Sequence, residues 1–166
     1  MNLIRQARLS HEFERLLRLH DKSSLFDIIA TKGEPPERYL LSFNLKSLVR
    51  NEAGKVLVYD AAHILEVYCP CGYPGDGPRI LYLQPQEIFH PNILWPLICL
   101  NRWVPSMFLD EIALRIASVI SYRTFTMDEK ESLNKDACAW ARSHQERFPI
   151  DRRSIIDDGH SKIEVW

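Results

Sequence analysis

The sequence reads Phe89-His90-Pro91-Asn92-Ile93 and, after three further residues, Leu97-Ile98-Cys99-Leu100. A turn fixed by proline is therefore followed closely by a single cysteine in an apolar run. This order brings a thiol, which is a nucleophile, close to an amide side chain, which donates hydrogen bonds. Cys99 and Asn92 are the first candidates for a chemical site.

This stretch belongs to a long irregular segment, residues 84–105, that contains four prolines. Loops longer than about 12 to 15 residues in compact domains are usually functional or disordered. The segment is too rich in apolar residues for disorder, because such residues gain free energy by packing. We therefore expect a long ordered loop that carries the site.

The chain before the loop predicts one helix and a sheet. Apolar residues recur at helical spacing from Leu3 to His20, which predicts an amphipathic first helix. Its apolar face is predicted to contain Leu9, Phe13, Leu16, Leu17 and His20, with Arg5, Arg8, Glu12 and Arg15 beside it. Four β-rich runs follow at residues 25–31, 39–45, 63–68 and 79–83. Their short connections predict a four-stranded antiparallel meander.

Two helices are predicted after the loop. The first contains Leu109, Ile112, Ile116 and Ile120, with an N-cap near Ser106 or Asp110. The second runs from Leu133 to Phe148, with Ser132 as its N-cap. Pro149 ends this helix, so we expect one domain over residues 1–149 and a tail over residues 150–166 that docks on the domain or frays.

Length and composition narrow the classes of function. A chain of 166 residues suits one domain with a real core. Its net charge of −1 predicts no nucleic-acid partner, and no run approaches the roughly 18 apolar residues of a membrane span. The first 20 residues lack the apolar core of a signal peptide. We therefore expect a cytoplasmic protein whose four cysteines, at positions 69, 71, 99 and 138, are free thiols.

Several short motifs occur in a fixed order along the chain. They are Tyr73-Pro74, Pro78, His90-Pro91-Asn92, Ile98-Cys99-Leu100, Trp103 and Pro105. This ordered set resembles the ubiquitin-conjugating enzyme family, which carries a ubiquitin-like protein as a thioester on one cysteine. The resemblance implies an α+β, UBC-like fold with an N-terminal helix, a four-stranded antiparallel meander, a long ordered active-site loop and two C-terminal helices. It also implies that no cofactor is needed.

The resemblance further implies roles for individual residues. Cys99 is the thioester cysteine, Asn92 orders the site and stabilises the oxyanion, and His90 with Pro91 forms the turn that presents it. Glu131 matches the position of an acidic residue near the site, with Glu129 and Asp128 as substitutes. Implied partners are a ubiquitin-like protein, a lysine on a target protein and an activating enzyme that docks on the first helix. Basic residues of that helix, Arg5, Arg8 and Arg15, are expected to steer the activating enzyme.

The sequence departs from the family pattern in four places. Trp95-Pro96 replaces a polar, glycine-containing turn, and only residues 100–102 separate Cys99 from Trp103. Gly75-Asp76-Gly77 stands where an aromatic residue often binds ligases, and the usual last helix is missing or reduced after Pro149. These departures favour a compact, divergent member of bacterial type.

Other interpretations of the same residues stay open at this point. The chain can be a non-catalytic module of the same fold that binds ubiquitin-like proteins, or a cysteine hydrolase in which His90 activates Cys99. Asn92 can serve only to order the loop, and Glu131 can be a solvated acid at a helix start. Cys69 and Cys71 flank a turn; a structural zinc site needs four ligands, and no second close pair accompanies them.

Overall fold

The computed structural model describes residues 3–157. It consists of a four-stranded sheet covered on one face by helices, with a small two-stranded hairpin beside the candidate site. Its elements in chain order are α1 Leu3–Asp21, β1 Phe26–Lys32, β2 Arg38–Arg50, β3 Val56–Tyr68, β4 Arg79–Gln84, β5 Ile93–Leu94, β6 Leu97–Ile98, α2 Leu109–Ile120, α3 Lys135–Ser143 and a 3-10 turn Gln145–Arg147. The predicted α+β architecture is confirmed.

The sheet has the order β1-β2-β3-β4, and every neighbouring pair is antiparallel. This confirms the predicted meander. β2 and β3 each extend over 13 residues, beyond the predicted runs, and they pair continuously from Arg38↔Tyr68 to Arg50↔Val56. The additional residues include Lys46 and Asp60, which are exposed, so their polar side chains gave no strand signal although the backbone is fully paired.

The first helix buries a face that matches the predicted one in part, since Leu9 and Leu16 are buried and Phe13 packs against the core. Its buried residues are Leu9, Glu12, Leu16 and Leu19, whereas the predicted face residue Leu17 is 37% exposed. The placement of Glu12 beside the buried face was wrong, because its side chain is fully buried. The Glu12 carboxylate accepts hydrogen bonds from Arg8 Nε at 2.6 Å, from the Tyr73 hydroxyl and from the backbone N–H of Leu109 at 2.7 Å.

The start of α2 is held by carboxylates rather than by the predicted cap. The N-cap residue is Phe108, so the prediction of Ser106 or Asp110 was wrong. Glu111 accepts the Phe108 N–H at 2.7 Å, and Glu12 of α1 accepts the Leu109 N–H. Negative charge at a helix N-terminus is favourable, and here part of it comes from a distant element.

α3 begins two residues later than predicted. Its N-cap is Asn134, whose Oδ1 accepts the Ala137 N–H at 3.0 Å, so the assignment of Ser132 as N-cap was wrong. The Ser132 hydroxyl instead donates to the Pro91 carbonyl at 3.0 Å. This bond connects the start of α3 to the turn that precedes Cys99.

Residues 150–157 pack against the sheet and α1. Asp151 is buried and accepts the Lys46 N–H of β2 at 3.0 Å, and Asp157 donates its N–H to the Lys22 carbonyl at 2.8 Å. The remainder of the predicted tail, residues 158–166, lies outside the described residues. Across residues 3–157, no helix is long and apolar enough to cross a membrane.

Candidate active site

A short hairpin places Cys99 opposite Asn92. Ile93 of β5 pairs with Ile98 of β6, and Trp95-Pro96 forms the two-residue connection. The Cys99 N–H donates to the Asn92 carbonyl at 2.8 Å, which extends the ladder by one residue pair. Side chains of directly opposed residues in an antiparallel pair lie on the same face. The half-buried Cys99 thiol and the Asn92 amide are therefore close neighbours.

The hairpin is in turn attached to the main sheet. The Tyr82 N–H donates to the Pro96 carbonyl at 2.8 Å, and the Trp95 indole N–H donates to the Leu83 carbonyl at 3.1 Å. The Tyr82 N–H and the Leu83 carbonyl both belong to β4, and the other edge of β4 pairs with β3. Trp95 and Pro96 thus fix the position of the hairpin.

The buried side chain of His90 stabilises the turn before Asn92. Its ring is fully buried, and Nδ1 accepts the Asn92 N–H at 3.0 Å. The Ile93 N–H donates to the His90 carbonyl at 3.0 Å, which closes the turn around Pro91. Burial lowers the pKa of His90 to about 3, with partial compensation by the Val119 carbonyl. The imidazole is therefore neutral at pH 7, and Nδ1 is not available to a thiol.

Asn92 is oriented by the segment between α2 and α3. Its Oδ1 accepts the Thr126 N–H at 2.9 Å. The adjacent Pro91 carbonyl accepts the Ser132 hydroxyl and the backbone N–H groups of Leu133 and Asn134. With Oδ1 held in this way, the two protons of Nδ2 remain to serve a group at Cys99, since no hydrogen bond to Nδ2 occurs within residues 3–157.

Thr126 and Ser132 were not predicted as parts of the site. Thr126 contributes through its backbone N–H, for which the sequence carries no signal. Ser132 was expected only to cap the second C-terminal helix, because a serine directly before a helical pattern favours that role. Both residues hold the turn, and neither forms a hydrogen bond with Cys99.

Glu131 lies on the same connecting segment and is exposed. Its N–H donates to the Asp128 carbonyl at 3.1 Å, which forms a turn just before the bonds to Pro91. In the described part of the chain its carboxylate makes no hydrogen bond or ion pair. The structure therefore brings together His90, Asn92 and Cys99 by direct bonds, and it leaves Glu131 on a neighbouring loop with a free carboxylate.

Trp103 anchors the segment that directly follows Cys99. The Trp103 indole N–H donates to the Pro74 carbonyl at 2.9 Å, and its ring lies 5.6 Å from that of Tyr73 between centroids. A Cβ atom on Gly77 would lie 2.8 Å from Trp103 Cγ, so only glycine permits this approach. Asn101, with φ of 68°, turns the chain sharply between Cys99 and this anchor.

The three arginines predicted to steer a partner bind within the domain. Arg5 pairs with Glu37 at 2.9 Å, Arg8 with Glu12 at 2.6 Å, and Arg15 with Asp110 at 2.8 Å. Their side chains are 17%, 15% and 30% exposed respectively. They are therefore only partly exposed, and they hold α1 to the loops and to the start of α2.

The other cysteines lie away from this arrangement. Cys69 is fully buried, and burial raises the pKa of its thiol to about 12, so it is not a thiolate at pH 7. Cys138 is buried on α3, whereas Cys71 is exposed. Among residues 3–157, no group of three or more His, Cys, Asp or Glu side chains is arranged to hold a metal ion.

Comparison with known proteins supports the fold. No protein-family model matches the chain, and no curated protein matches it in sequence. Among solved structures, it is similar to a Trypanosoma cruzi protein provisionally named a ubiquitin conjugating enzyme. The TM-score is 0.62 at 17% identity, over 86% of this chain and 93% of the other. The chain therefore has the fold of ubiquitin-conjugating enzymes, which confirms the predicted fold class.

Proposed function

We propose that this protein accepts a ubiquitin-like protein as a thioester on Cys99 and transfers it to an amine. The observation that carries the proposal is the pairing of Cys99 with Asn92. The Cys99 N–H is bound to the Asn92 carbonyl, while the Asn92 Oδ1 is held by Thr126. A half-buried thiol can carry the thioester, and an oriented amide donor beside it suits the oxyanion that forms when an amine attacks.

Two acyl transfers occur on Cys99 in this proposal. In the first, the Cys99 thiolate attacks the thioester carbonyl on the activating enzyme; a new C–S bond forms and the activating enzyme's thiolate leaves. In the second, a target amine attacks; a C–N bond forms, the C–S bond to Cys99 breaks, and the amine loses a proton to solvent or to a carboxylate. A thiolate is both a good nucleophile and a good leaving group, so no triad is needed.

The second transfer is the more demanding step. A lysine ammonium with a pKa of about 10.4 costs about 4.6 kcal/mol to deprotonate at pH 7. Desolvation beside the thioester lowers that cost, and the free carboxylate of Glu131 is our candidate for orienting the ammonium. Asn92 Nδ2 is the candidate donor to the oxyanion of the tetrahedral intermediate. His90 acts through Asn92, as a positioning residue.

A cysteine hydrolase is less compatible with this geometry. Such an enzyme needs a histidine that takes the proton of the thiol. His90 is fully buried, its Nδ1 is occupied by the Asn92 N–H, and burial lowers its pKa to about 3. The second candidate is a non-catalytic module that binds ubiquitin-like proteins through the same fold. The presence of a free, half-buried cysteine at position 99 favours the carrier over this module.

We further propose that α1 receives the activating enzyme through its outward face. That face includes exposed apolar residues, Leu3 and Ile4, which are 77% and 79% exposed. The paired arginines Arg5, Arg8 and Arg15 then serve to hold the helix in place. A target lysine, a cytoplasmic location and a bacterial origin complete the proposal as predictions from the sequence.

A thioester assay tests the proposed function. Incubation with the cognate activating enzyme, ATP and ubiquitin-like protein is expected to give an adduct that dithiothreitol removes, because thiols cleave thioesters and not amides. Cys99→Ser is expected to give at most a dithiothreitol-resistant ester, and Cys99→Ala nothing. Cys71→Ala is the matched control, because Cys71 is an exposed thiol outside the site. A thiol-sensitive adduct that persists in Cys99→Ala contradicts the assignment.

A further inference from the structure

A groove runs beside Cys99, between the segment that follows it and the outward side of α2. It consists of two adjoining cavities of about 160 and 390 Å³. Leu100, Asn101 and Arg115 line both, so the cavities are continuous. The first cavity also has an apolar wall formed by Ile80, Ile98, Trp103 and Ile112. The groove begins at the residue next to the candidate thioester cysteine.

The groove carries positive charge that the protein does not neutralise. Arg102 and Arg115 line it, and both are exposed. Within residues 3–157 neither guanidinium makes a hydrogen bond or an ion pair, and neither cavity is lined by Asp or Glu. Three arginines of α1 differ, since Arg5, Arg8 and Arg15 are each bound to a carboxylate at 2.9 Å or less.

We propose that this groove binds an extended, acidic segment of the protein carried on Cys99. The inference rests on the proposed carrier function. A protein attached through its C-terminal carbonyl to Cys99 must pass its last residues along a surface adjoining that cysteine. The groove that starts at Leu100 is such a surface. Its apolar wall accommodates aliphatic side chains, and its two unpaired guanidinium groups select carboxylates near the C-terminus of the carried protein.

The expected preference for acidic segments can be estimated from the free energy that exposed ion pairs contribute. Each such pair contributes modestly, and two of them correspond to about a threefold to tenfold difference in affinity at low ionic strength. Salt screens exposed charges over about 10 Å at 0.1 M, so the difference should shrink as salt is added. An apolar segment alone would show neither charge preference nor this salt dependence.

Peptide binding to Cys99→Ala tests the groove without any transfer step. The probes are three fluorescent peptide amides that end in glycine and differ only in two positions, occupied by Glu, Gln or Arg. Fluorescence anisotropy is expected to show the Glu peptide binding about threefold to tenfold more tightly than the Arg peptide at low salt. Arg102→Glu with Arg115→Glu should reverse this order.

A charge-matched control separates the groove from overall charge. Arg18→Glu with Arg152→Glu changes the net charge equally at two exposed arginines that line neither cavity. This pair is expected to leave the peptide preference within about twofold of the parent. Equal binding of all three peptides, or an equal effect of the control pair, overturns the inference.

The same peptides, as thioesters of 2-mercaptoethanesulfonate, distinguish the groove from the function. With unmutated protein, the Cys99 thiolate attacks the peptide carbonyl and 2-mercaptoethanesulfonate leaves; intact mass spectrometry measures the adduct. Discrimination in binding with no adduct on Cys99 supports the groove and contradicts the carrier function. Adducts that form at equal rates from peptides of equal affinity support the carrier function and overturn the groove.

Discussion

The segments before and after Cys99 differ in whether their polar groups form hydrogen bonds or ion pairs within the domain. Before Cys99, His90 Nδ1, the Pro91 carbonyl and the Asn92 Oδ1 all have partners within the domain. After it, Arg102 is exposed without a partner among the described residues, and Trp103 is the anchor. A rigid turn suits the presentation of a reactive atom, and unpaired groups suit the binding of another molecule.

The strongest test of this difference concerns the turn before Cys99. His90→Ala should lower the free energy of unfolding by about 3 kcal/mol or more, because it leaves a cavity and an unpaired Asn92 N–H. His11→Ala, at an exposed position, and Arg102→Ala, after Cys99, should each change it by about 0.5 kcal/mol or less. Urea denaturation measures all three. A similar cost for Arg102→Ala and His90→Ala would remove the distinction.

Lowering the pH is expected to reduce the free energy of unfolding through the same turn, by a smaller amount. Burial lowers the pKa of His90 to about 3, whereas an unfolded chain takes up this proton at about 6.5. The stability linked to His90 is therefore fully present above about pH 6.5 and is lost as the pH falls toward 3. Between pH 7 and pH 5 the expected loss is about 2 kcal/mol.

His63 adds a comparable term, since burial lowers its pKa to about 4. It remains in His90→Ala, so comparing the two proteins isolates His90. Denaturation midpoints at pH 7 and pH 5 should show a smaller loss in His90→Ala, by about 2 kcal/mol. Parallel pH profiles for the two proteins would show that His90 is not held neutral by the turn.

The sequence predicted α2 and the turn before Cys99 because both have local sequence patterns. Helical spacing of Ile112, Ile116 and Ile120 predicted α2, and its bounds follow the apolar face. The proline in His90-Pro91-Asn92 predicted a turn. The approach of Asn92 to Cys99 was expected from their order alone, and the hairpin between Ile93 and Ile98 supplies the reason. The hairpin itself was not predicted, because two-residue strands have no period.

Long-range pairing explains what the sequence did not predict. Glu12 caps α2 from a helix almost 100 residues away, so no pattern near Phe108 indicates the cap. Arg8 and Arg102 are the same residue type, yet only the fold determines that one is paired and the other is not. The groove needs Arg115 and Leu100 side by side, which depends on how α2 packs against the loop.

A last and weaker effect is expected at Asn92, which belongs to the turn and lies beside the candidate thioester cysteine. Asn92→Asp retains an oxygen that can accept the Thr126 N–H but removes the Nδ2 donor, whereas Asn92→Ala removes both. If Nδ2 stabilises the oxyanion, both variants should acquire the thioester at near-normal rates and discharge it to free lysine about tenfold more slowly for each 1.4 kcal/mol lost. Glu131→Gln should slow only discharge, by a smaller factor, because its carboxylate is exposed and solvated.

Single-turnover measurements of charging and discharge separate the two steps. If Asn92→Asp discharges normally while Asn92→Ala loses both steps together with its melting temperature, then the bond to Thr126 accounts for Asn92, and the amide orders the loop without acting on the intermediate.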